Sequence, residues 1–115
     1  MNALPNKVQL IGNLGFNPVV RSFEDGKKLA KFSIATHRSY KNDKGEKIKN
    51  TQWHNLIAWG HTADYVERLL KKGMKIAVEG RLMNRQYTDN MGTKRQVNEI
   101  LINDLLIIRK VEGVK

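Results

Sequence analysis

Six segments of the chain have patterns typical of β-strands, and some of them alternate hydrophobic and polar positions as half-buried strands do. Ala30, Phe32 and Ile34 show this period of two most clearly, because the polar residues Lys31 and Ser33 lie between them. The predicted strands cover residues 8–14, 19–23, 28–37, 51–59, 74–87 and 94–109. Short strands separated by glycine-containing turns indicate a β-sandwich or a β-barrel.

One segment follows the helical period instead, and it lies between the strands at 51–59 and 74–87. Its apolar positions are Ala63, Val66, Leu69 and Leu70. Thr62 is the predicted N-cap, and Gly73 marks the predicted end. The fold class is therefore all-β with one short helix, and this order matches a five-stranded Greek-key barrel of the oligonucleotide/oligosaccharide-binding (OB) type.

The last predicted strand is apolar on both of its faces. Strict alternation places Ile100, Ile102, Leu106 and Ile108 on one face, and Leu101, Leu105 and Ile107 on the other. A barrel covers only one face of a strand. The second face is therefore buried either in an oligomer or under the helix or a chain terminus, and both alternatives stay open at this point.

Composition narrows the choice of partners. The chain has 115 residues, with 21 Lys and Arg against 11 Asp and Glu, which gives a net charge of +10. We expect one domain over residues 1–110 with a short extension at 111–115. Excess positive charge favours polyanions, with nucleic acid ahead of an anionic membrane. Neither a membrane-spanning apolar run nor a secretory signal is visible, and the absence of cysteine fits a cytoplasmic protein.

The basic residues are concentrated in two polar segments that carry aromatic side chains. Residues 38–49 hold five cations and Tyr40, while residues 81–95 hold four cations and Tyr87. Trp53 and Trp59 lie six positions apart, so alternation places both on one face of their strand, opposite His54. In the later strand Arg81, Arg85 and Tyr87 share a face by the same count.

Planar rings interspersed with mobile cations suit a single-stranded nucleic acid, whose base faces stack and whose phosphates attract positive charge. A duplex reader would instead need a helix for the major groove, and the one predicted helix is short and carries acidic residues. The plainer interpretation makes the tryptophans core residues, the tyrosines hairpin packing and the lysines a solvated loop.

Candidate catalytic residues are few. His37, His54 and His61 have no metal-ligand spacing, no cysteine assists them, and no nucleotide-binding glycine motif is present. We therefore predict no enzyme activity, no metal and no cofactor. A small basic nuclease is the remote alternative.

Four segments together carry a resemblance to the bacterial single-stranded DNA-binding protein (SSB) family. They read NKVQLIGNLGFNPVVR, TQWHNLIAWG, LKKGMKIAVEGRL and RQYTDNMG, and they keep the order and spacing of the family over nearly the whole chain. The resemblance implies an OB fold and a homotetramer, with a dimer as the smaller option. It also implies sequence-independent binding and protection of single-stranded DNA in replication, recombination and repair. The alternatives are a replication-restart accessory or an RNA-binding OB protein.

Site residues follow from the same resemblance. It assigns base stacking to the aromatic side chains Tyr40, Trp53, Trp59 and Tyr87, and phosphate contacts to the basic side chains Lys7, Arg21, Lys72, Arg85 and Arg95. It also assigns His54 to a subunit interface and places His61 where the family commonly has lysine. The family's acidic C-terminal tip is missing from this sequence, so we expect no recruitment of replication proteins through such a tip.

Overall fold

The computed structural model describes residues 6–110, so the predicted extension at 111–115 lies outside the described residues. The strands in this range are β1 (Val8–Leu14), β2 (Val19–Ser22), β3 (Lys28–Lys41), β4 (Lys47–Trp59), β5 (Lys75–Thr88) and β6 (Lys94–Arg109). The helix α1 (Gly60–Leu69) lies between β4 and β5. All the predicted elements are present, and β3 and β4 are both longer than predicted.

Strand β1 closes the sheet into a barrel. It pairs with β5 along most of its length, and Asn13 and Leu14 at its end pair with β3. The closed strand order is β1, β3, β4, β6, β5, with β2 added outside on β3. Strands β4 and β6 are parallel, with Leu56 opposite Ile100. This is the five-stranded Greek-key barrel that the sequence predicts, and the OB fold is confirmed.

The barrel is filled by side chains that alternate along its strands, including Phe32, Ile34, Leu56 and Ile76, each at most 2% exposed. Helix α1 adds Ala63 and Val66 to the same core. These apolar side chains pack against one another inside the closed sheet, so the barrel interior is a filled core.

The start of α1 differs from the prediction. The helix begins at Gly60, directly after β4, and its N-cap residue is Trp59, which makes no side-chain capping hydrogen bond. The prediction of Thr62 as N-cap is therefore wrong. Gly60 has a φ of 61°, a left-handed conformation that glycine adopts without steric cost, so the helix starts three residues earlier than the apolar period suggests.

A β-bulge changes which residues of β6 face the core. Glu79 pairs with Asp104 and Gly80 pairs with Ile102, so Asn103 has no partner in β5. An extra residue reverses the alternation beyond it. Ile102 is buried before the bulge, whereas Leu106 after it is 66% exposed. The predicted grouping of Leu106 and Ile108 with Ile100 and Ile102 is therefore wrong.

The two polar segments are β-hairpins that project beyond the barrel. We call residues 38–49 the β3–β4 finger and residues 81–95 the β5–β6 finger. Tyr40 pairs with Ile48 in the first, and Tyr87 pairs with Arg95 in the second. Their backbone hydrogen bonds are thus satisfied within each hairpin, which lets long cationic side chains stand on ordered strands.

The β2–β3 turn and the turns of both fingers share one geometry. Each turn has five residues. The backbone N–H of the first residue donates to the carbonyl of the fifth, and the N–H of the fourth residue, which is a glycine, donates to the carbonyl of the first. Asn42 and Asp89 hold the first position in the two fingers, and the side-chain oxygen of each accepts two further backbone N–H groups at 2.9 Å. Phe23 holds that position in the β2–β3 turn.

Candidate nucleic-acid interface

Both tryptophans point away from the core of the barrel. Trp53 is 59% exposed and Trp59 is 44% exposed, whereas Leu56 and Ala58 on the opposite side of β4 are buried. The alternation that the sequence predicts is confirmed, and the core interpretation of the tryptophans is wrong. Exposed indole faces on a rigid strand are suited to stacking against planar ligands.

The face that carries the tryptophans continues across β6 onto β5. Because Leu56 and Ile100 are paired core residues, their neighbours Ile57 and Leu101 both point outward. The same alternation puts three residues of β5 on this side, namely Arg81, Arg85 and Tyr87. We call this continuous surface of β3, β4, β6 and the β5–β6 finger the outer face.

Trp53 lies directly over the loop that follows β1. A Cβ atom at Gly15 would overlap the Trp53 indole. The loop is tied down on both sides, since the Gly15 N–H donates to the Ser33 carbonyl at 3.1 Å and the Lys72 N–H donates to the Asn17 side chain at 2.8 Å. These bonds bring the backbone of Lys72 to the Trp53 end of the outer face.

Trp59 has an aromatic neighbour that the sequence reasoning missed. The rings of Phe23 and Trp59 are stacked, with centroids 5.9 Å apart and planes 28° apart. Arg21 pairs with Leu29, which pairs with Trp59, so Arg21 lies in the same cross-strand row. Phe23 is the last residue of a predicted strand and the first residue of the β2–β3 turn. The one sequence signal is that it is apolar, whereas the corresponding residues of the two finger turns are Asn42 and Asp89.

Tyr87 is supported by Arg85, whose guanidinium carbon lies 5.9 Å from the centre of the tyrosine ring. Arg85 also donates through Nε to Glu99 at 3.3 Å, and Glu99 is only 8% exposed. A carboxylate so well covered requires a partner, because an unpaired buried charge is strongly unfavourable. The charge of Arg85 is therefore already compensated inside the protein.

Two more of the predicted phosphate-binding cations are paired with carboxylates. Arg95 donates to Asp89 at 3.0 Å, and this bond lowers the pKa of Asp89 together with the N–H groups of Thr93 and Met91. Lys7 lies 3.6 Å from Glu79, whose pKa is lowered first by the Gln9 amide and then by Lys7.

Among the described residues, Arg21 and Lys72 make no ion pair. The free positive charge of the predicted site thus lies at these two positions.

Tyr40 and His54 lie on the other side of the β3–β4 ladder. Tyr40 is 48% exposed but shares its strand face with Ile34, not with the partner of Trp53, Ala35. His54 is partly buried, and its Nε2 lies 3.0 Å from the Thr36 hydroxyl. A nucleic-acid strand that stacks on both Trp53 and Tyr40 must therefore pass around the β3–β4 finger. His61, at the start of α1, is exposed.

The described part of the chain contains no cluster of three His, Asp or Glu side chains arranged to hold a metal ion. Its one helix, with ten residues, is too short to cross a bilayer, and no helix in residues 6–110 has the length and hydropathy for such a crossing.

Comparison with known proteins agrees with this geometry. A profile described as the Single-strand binding protein family matches residues 5–108. The chain belongs to this family. Single-stranded DNA-binding protein 1 of Xylella fastidiosa is 42% identical over 91% of the chain, and that of Chlorobaculum tepidum is 38% identical over 90%. The solved complex of Plasmodium falciparum SSB with ssDNA has a TM-score of 0.84 at 30% identity and covers 94% of the chain.

The chain matches different shares of these family members. It spans 78% of the Xylella protein but 64% of the Chlorobaculum protein, and 99% of the Plasmodium chain in the solved complex. The matched residues 5–108 cover the helix and all six strands, except for Arg109 at the end of β6.

Proposed function

We propose that this chain binds and protects single-stranded DNA without sequence preference, by base stacking on its outer face and by phosphate contacts at the rim. The observation that carries the proposal is the exposure of Trp53 and Trp59 on the same face of one barrel strand. Membership of the single-strand binding protein family supports it. Bases stack on such rings whatever their identity, because each base has a π-face.

The position of the aromatic residues on the fold supports the same function. In OB folds, ligands commonly bind on the outward face of the second and third barrel strands and against the loops that flank it. Here those strands are β3 and β4, which carry Trp53 and Trp59, and the flanking segments carry Arg21 and Tyr87. The four predicted stacking residues remain a proposal, with Tyr40 reached only by a strand that wraps around the finger.

The five predicted basic residues divide into two groups under this proposal. Arg21 and Lys72 contact phosphates with uncompensated charge and therefore contribute to the salt dependence of binding. Lys7, Arg85 and Arg95 have carboxylate partners, so they mainly position strands and rings. The chain acts by binding, without catalysis, metal or cofactor, on the DNA of the cytoplasmic nucleoid during replication, recombination and repair.

We also propose a homotetramer, and one surface of the described chain fits a contact between two copies. On the outward side of β1, β5 and β6, Ile11, Ala77 and Leu106 form one cross-strand row. Ile11 is 55% exposed and Leu106 is 66% exposed. A contiguous group of exposed aliphatic side chains is typical of a protein contact surface.

Charged rows on both sides of this apolar row favour a second copy as its partner. Glu79 pairs with Asp104 on one side, and Lys75 pairs with Arg109 on the other. A two-fold axis along the apolar row would place the acidic row of each copy opposite the basic row of the other. The surface is thus self-complementary, and His54 would belong to a separate contact of the tetramer.

Two alanine variants test the division between stacking and phosphate contacts. Trp53→Ala should weaken oligo(dT) binding by about fivefold or more without changing the salt slope, because it removes a ring and no charge. Lys72→Ala should reduce the slope of log affinity against log salt by about 0.7, the value for one phosphate contact with a single strand.

Arg68→Ala is the matched control, since Arg68 lies on α1 and is paired with Asp64. Affinities are measured by fluorescence anisotropy of labelled oligo(dT) at several salt concentrations. An equal change of slope in the Trp53 and Lys72 variants would contradict the assignment of roles. Cleavage of the labelled strand in the presence of Mg²⁺ would contradict the proposal of a binding protein.

A further inference from the structure

An open groove lies beside the stacked rings of Phe23 and Trp59. Its volume is about 580 Å³, and it is lined by Phe23, Glu24, Asp25, Lys27 and Trp59. A second opening, lined by Lys27, Trp59 and Gly60, adjoins the indole. Phe23 is 39% exposed and Trp59 is 44% exposed, so the two rings contact each other without hiding each other from solvent.

The β2–β3 turn holds Phe23 in a fixed place beside the groove. Its N–H donates to the Lys27 carbonyl at 2.8 Å, and its carbonyl accepts the Gly26 N–H at 2.9 Å. In the two fingers the corresponding residues, Asn42 and Asp89, use their side chains to cap the turn. In this turn the residue is aromatic, and its side chain stacks on Trp59 instead of bonding to the backbone.

The charges around the groove distinguish a base from a phosphate as its occupant. Glu24 and Asp25 line the groove together with one cation, Lys27, whose amino group lies 3.9 Å from Asp25. Two carboxylates repel the phosphate backbone, whereas they accept hydrogen bonds from exocyclic amino groups such as N4 of cytosine. Arg21 provides a phosphate contact nearby, since it lies in the cross-strand row of Trp59.

We propose that the Phe23–Trp59 groove is a base-binding subsite that extends the stacking surface by one ring and prefers bases with an exocyclic amino group, such as cytosine, to thymine. This inference rests on the proposed binding of single-stranded DNA and assigns to it a local base preference. Glu24 accepts the amino protons. Asp25, whose Oδ1 also accepts the Lys27 N–H at 3.1 Å, adds a second negative charge, and the base stacks on the exposed part of the Phe23–Trp59 pair. Elsewhere on the outer face, rings without neighbouring carboxylates bind any base.

Variants of Phe23 test the stacking part of the subsite. Phe23→Ala and Phe23→Leu should each weaken binding of the full chain to oligo(dC) by about fivefold, while Phe23→Tyr should retain the affinity of the parent chain. Leucine preserves apolar packing against Trp59, so it separates loss of a stacking ring from loss of local packing. The salt slope should not change in any of these variants, because no charge is removed.

A carboxylate variant tests the base preference. Glu24→Gln with Asp25→Asn should reduce the ratio of oligo(dC) to oligo(dT) affinity by about fivefold at pH 7.5, the discrimination expected from one good amino–carboxylate contact. Glu46→Gln is the matched control, because it removes a carboxylate from the β3–β4 turn, far from this groove in the sequence. The control should leave the ratio unchanged.

Two results would overturn the proposal: a Phe23→Leu variant that binds as the parent chain does, or an affinity ratio that changes no more than in the control. Both would leave the proposed function intact if the parent chain still binds oligo(dT) with tryptophan quenching. Loss of DNA binding by the parent chain itself would instead contradict the proposed function.

Discussion

Gly15 leaves the space in which the Trp53 side chain lies on the outer face. The indole of Trp53 occupies the space that a Cβ atom at position 15 would need. Gly15 is not among the residues with positive φ, so its role is to leave room and not to relieve backbone strain. The orientation of the most exposed indole is therefore set by the absence of a side chain in a different segment.

Gly15→Ala should displace the Trp53 ring and weaken oligo(dT) binding by about fivefold, while the free energy of unfolding changes by less than about 1 kcal/mol because the exposed ring can move. Fluorescence titration and urea denaturation measure the two quantities. In a Trp53→Leu background the Gly15→Ala change should have little further effect on affinity. An undiminished second effect would show that Gly15 acts independently of the indole.

At this scale the sequence predicts orientation better than it predicts contacts. Counting by twos along β4 places Trp53 and Trp59 together, and the structure agrees, because no bulge interrupts that strand between them. It could not reveal that Phe23 stacks on Trp59, since that contact depends on how the β2–β3 turn folds back in space. The pairing of Arg85 with Glu99 was equally hidden, because it depends on strand register.

Among the secondary-structure elements, the β5–β6 finger is organised around the buried carboxylate of Glu99. Arg85 covers it and at the same time lies against Tyr87, so one guanidinium serves both an ion pair and a ring. Removal of Arg85 alone leaves a covered charge without a partner, whereas removal of both charges leaves neutral groups.

Arg85→Gln should lower the free energy of unfolding by about 1–3 kcal/mol, and the double variant Arg85→Gln with Glu99→Gln should be less affected, as followed by urea denaturation. The double variant should keep the parent salt slope, because the pair contributes no net charge to the surface. Arg81→Gln, on the same face of β5, is the control for loss of a cation. A slope reduced by about 0.7 in the double variant would mean that Arg85 contacts a phosphate.

Element boundaries follow from the sequence except where one residue breaks the regular period. Strands, helix and turns are predicted in the correct order because the apolar periods differ clearly between them. The exceptions are Gly60, where a left-handed residue starts α1 early, and Asn103, where a bulge reverses the faces of β6. A glycine inside a strand, such as Gly80, indicates a bulge or a barrel corner, and the bulge does lie opposite it; the sequence does not show which residue of β6 is the extra one.

For the whole molecule, the barrel separates two surfaces for which we propose different tasks. The outer face carries the exposed rings of Trp53, Trp59 and Tyr87, while the outward side of β1, β5 and β6 carries the apolar row with its flanking charges. Gly80 and the bulge at Asn103 mark the boundary between them, because there the long strands β5 and β6 change register. The net positive charge of the composition therefore indicates a binding surface only after each cation has been assigned to a surface or to a carboxylate partner.

Leu106→Glu should dissociate the proposed assembly into smaller species, because it places a charge in the apolar row between two copies. Sedimentation velocity measures the change in mass. Met91→Glu is a matched control: Met91 is 89% exposed at the tip of the β5–β6 finger, so the same kind of substitution should leave the mass unchanged there. A Leu106 variant with the parent mass would exclude this surface as the contact.

The central claim is that exposed tryptophans on the barrel stack against single-stranded bases, and a fluorescence titration tests it most directly. Both tryptophans of the chain lie on the outer face, so no core tryptophan contributes to the signal. The chain is titrated with oligo(dT), oligo(U) and duplex DNA at several salt concentrations. We predict strong quenching by oligo(dT) and little response to duplex. Binding of oligo(dT) with unchanged tryptophan emission would contradict the stacking mechanism.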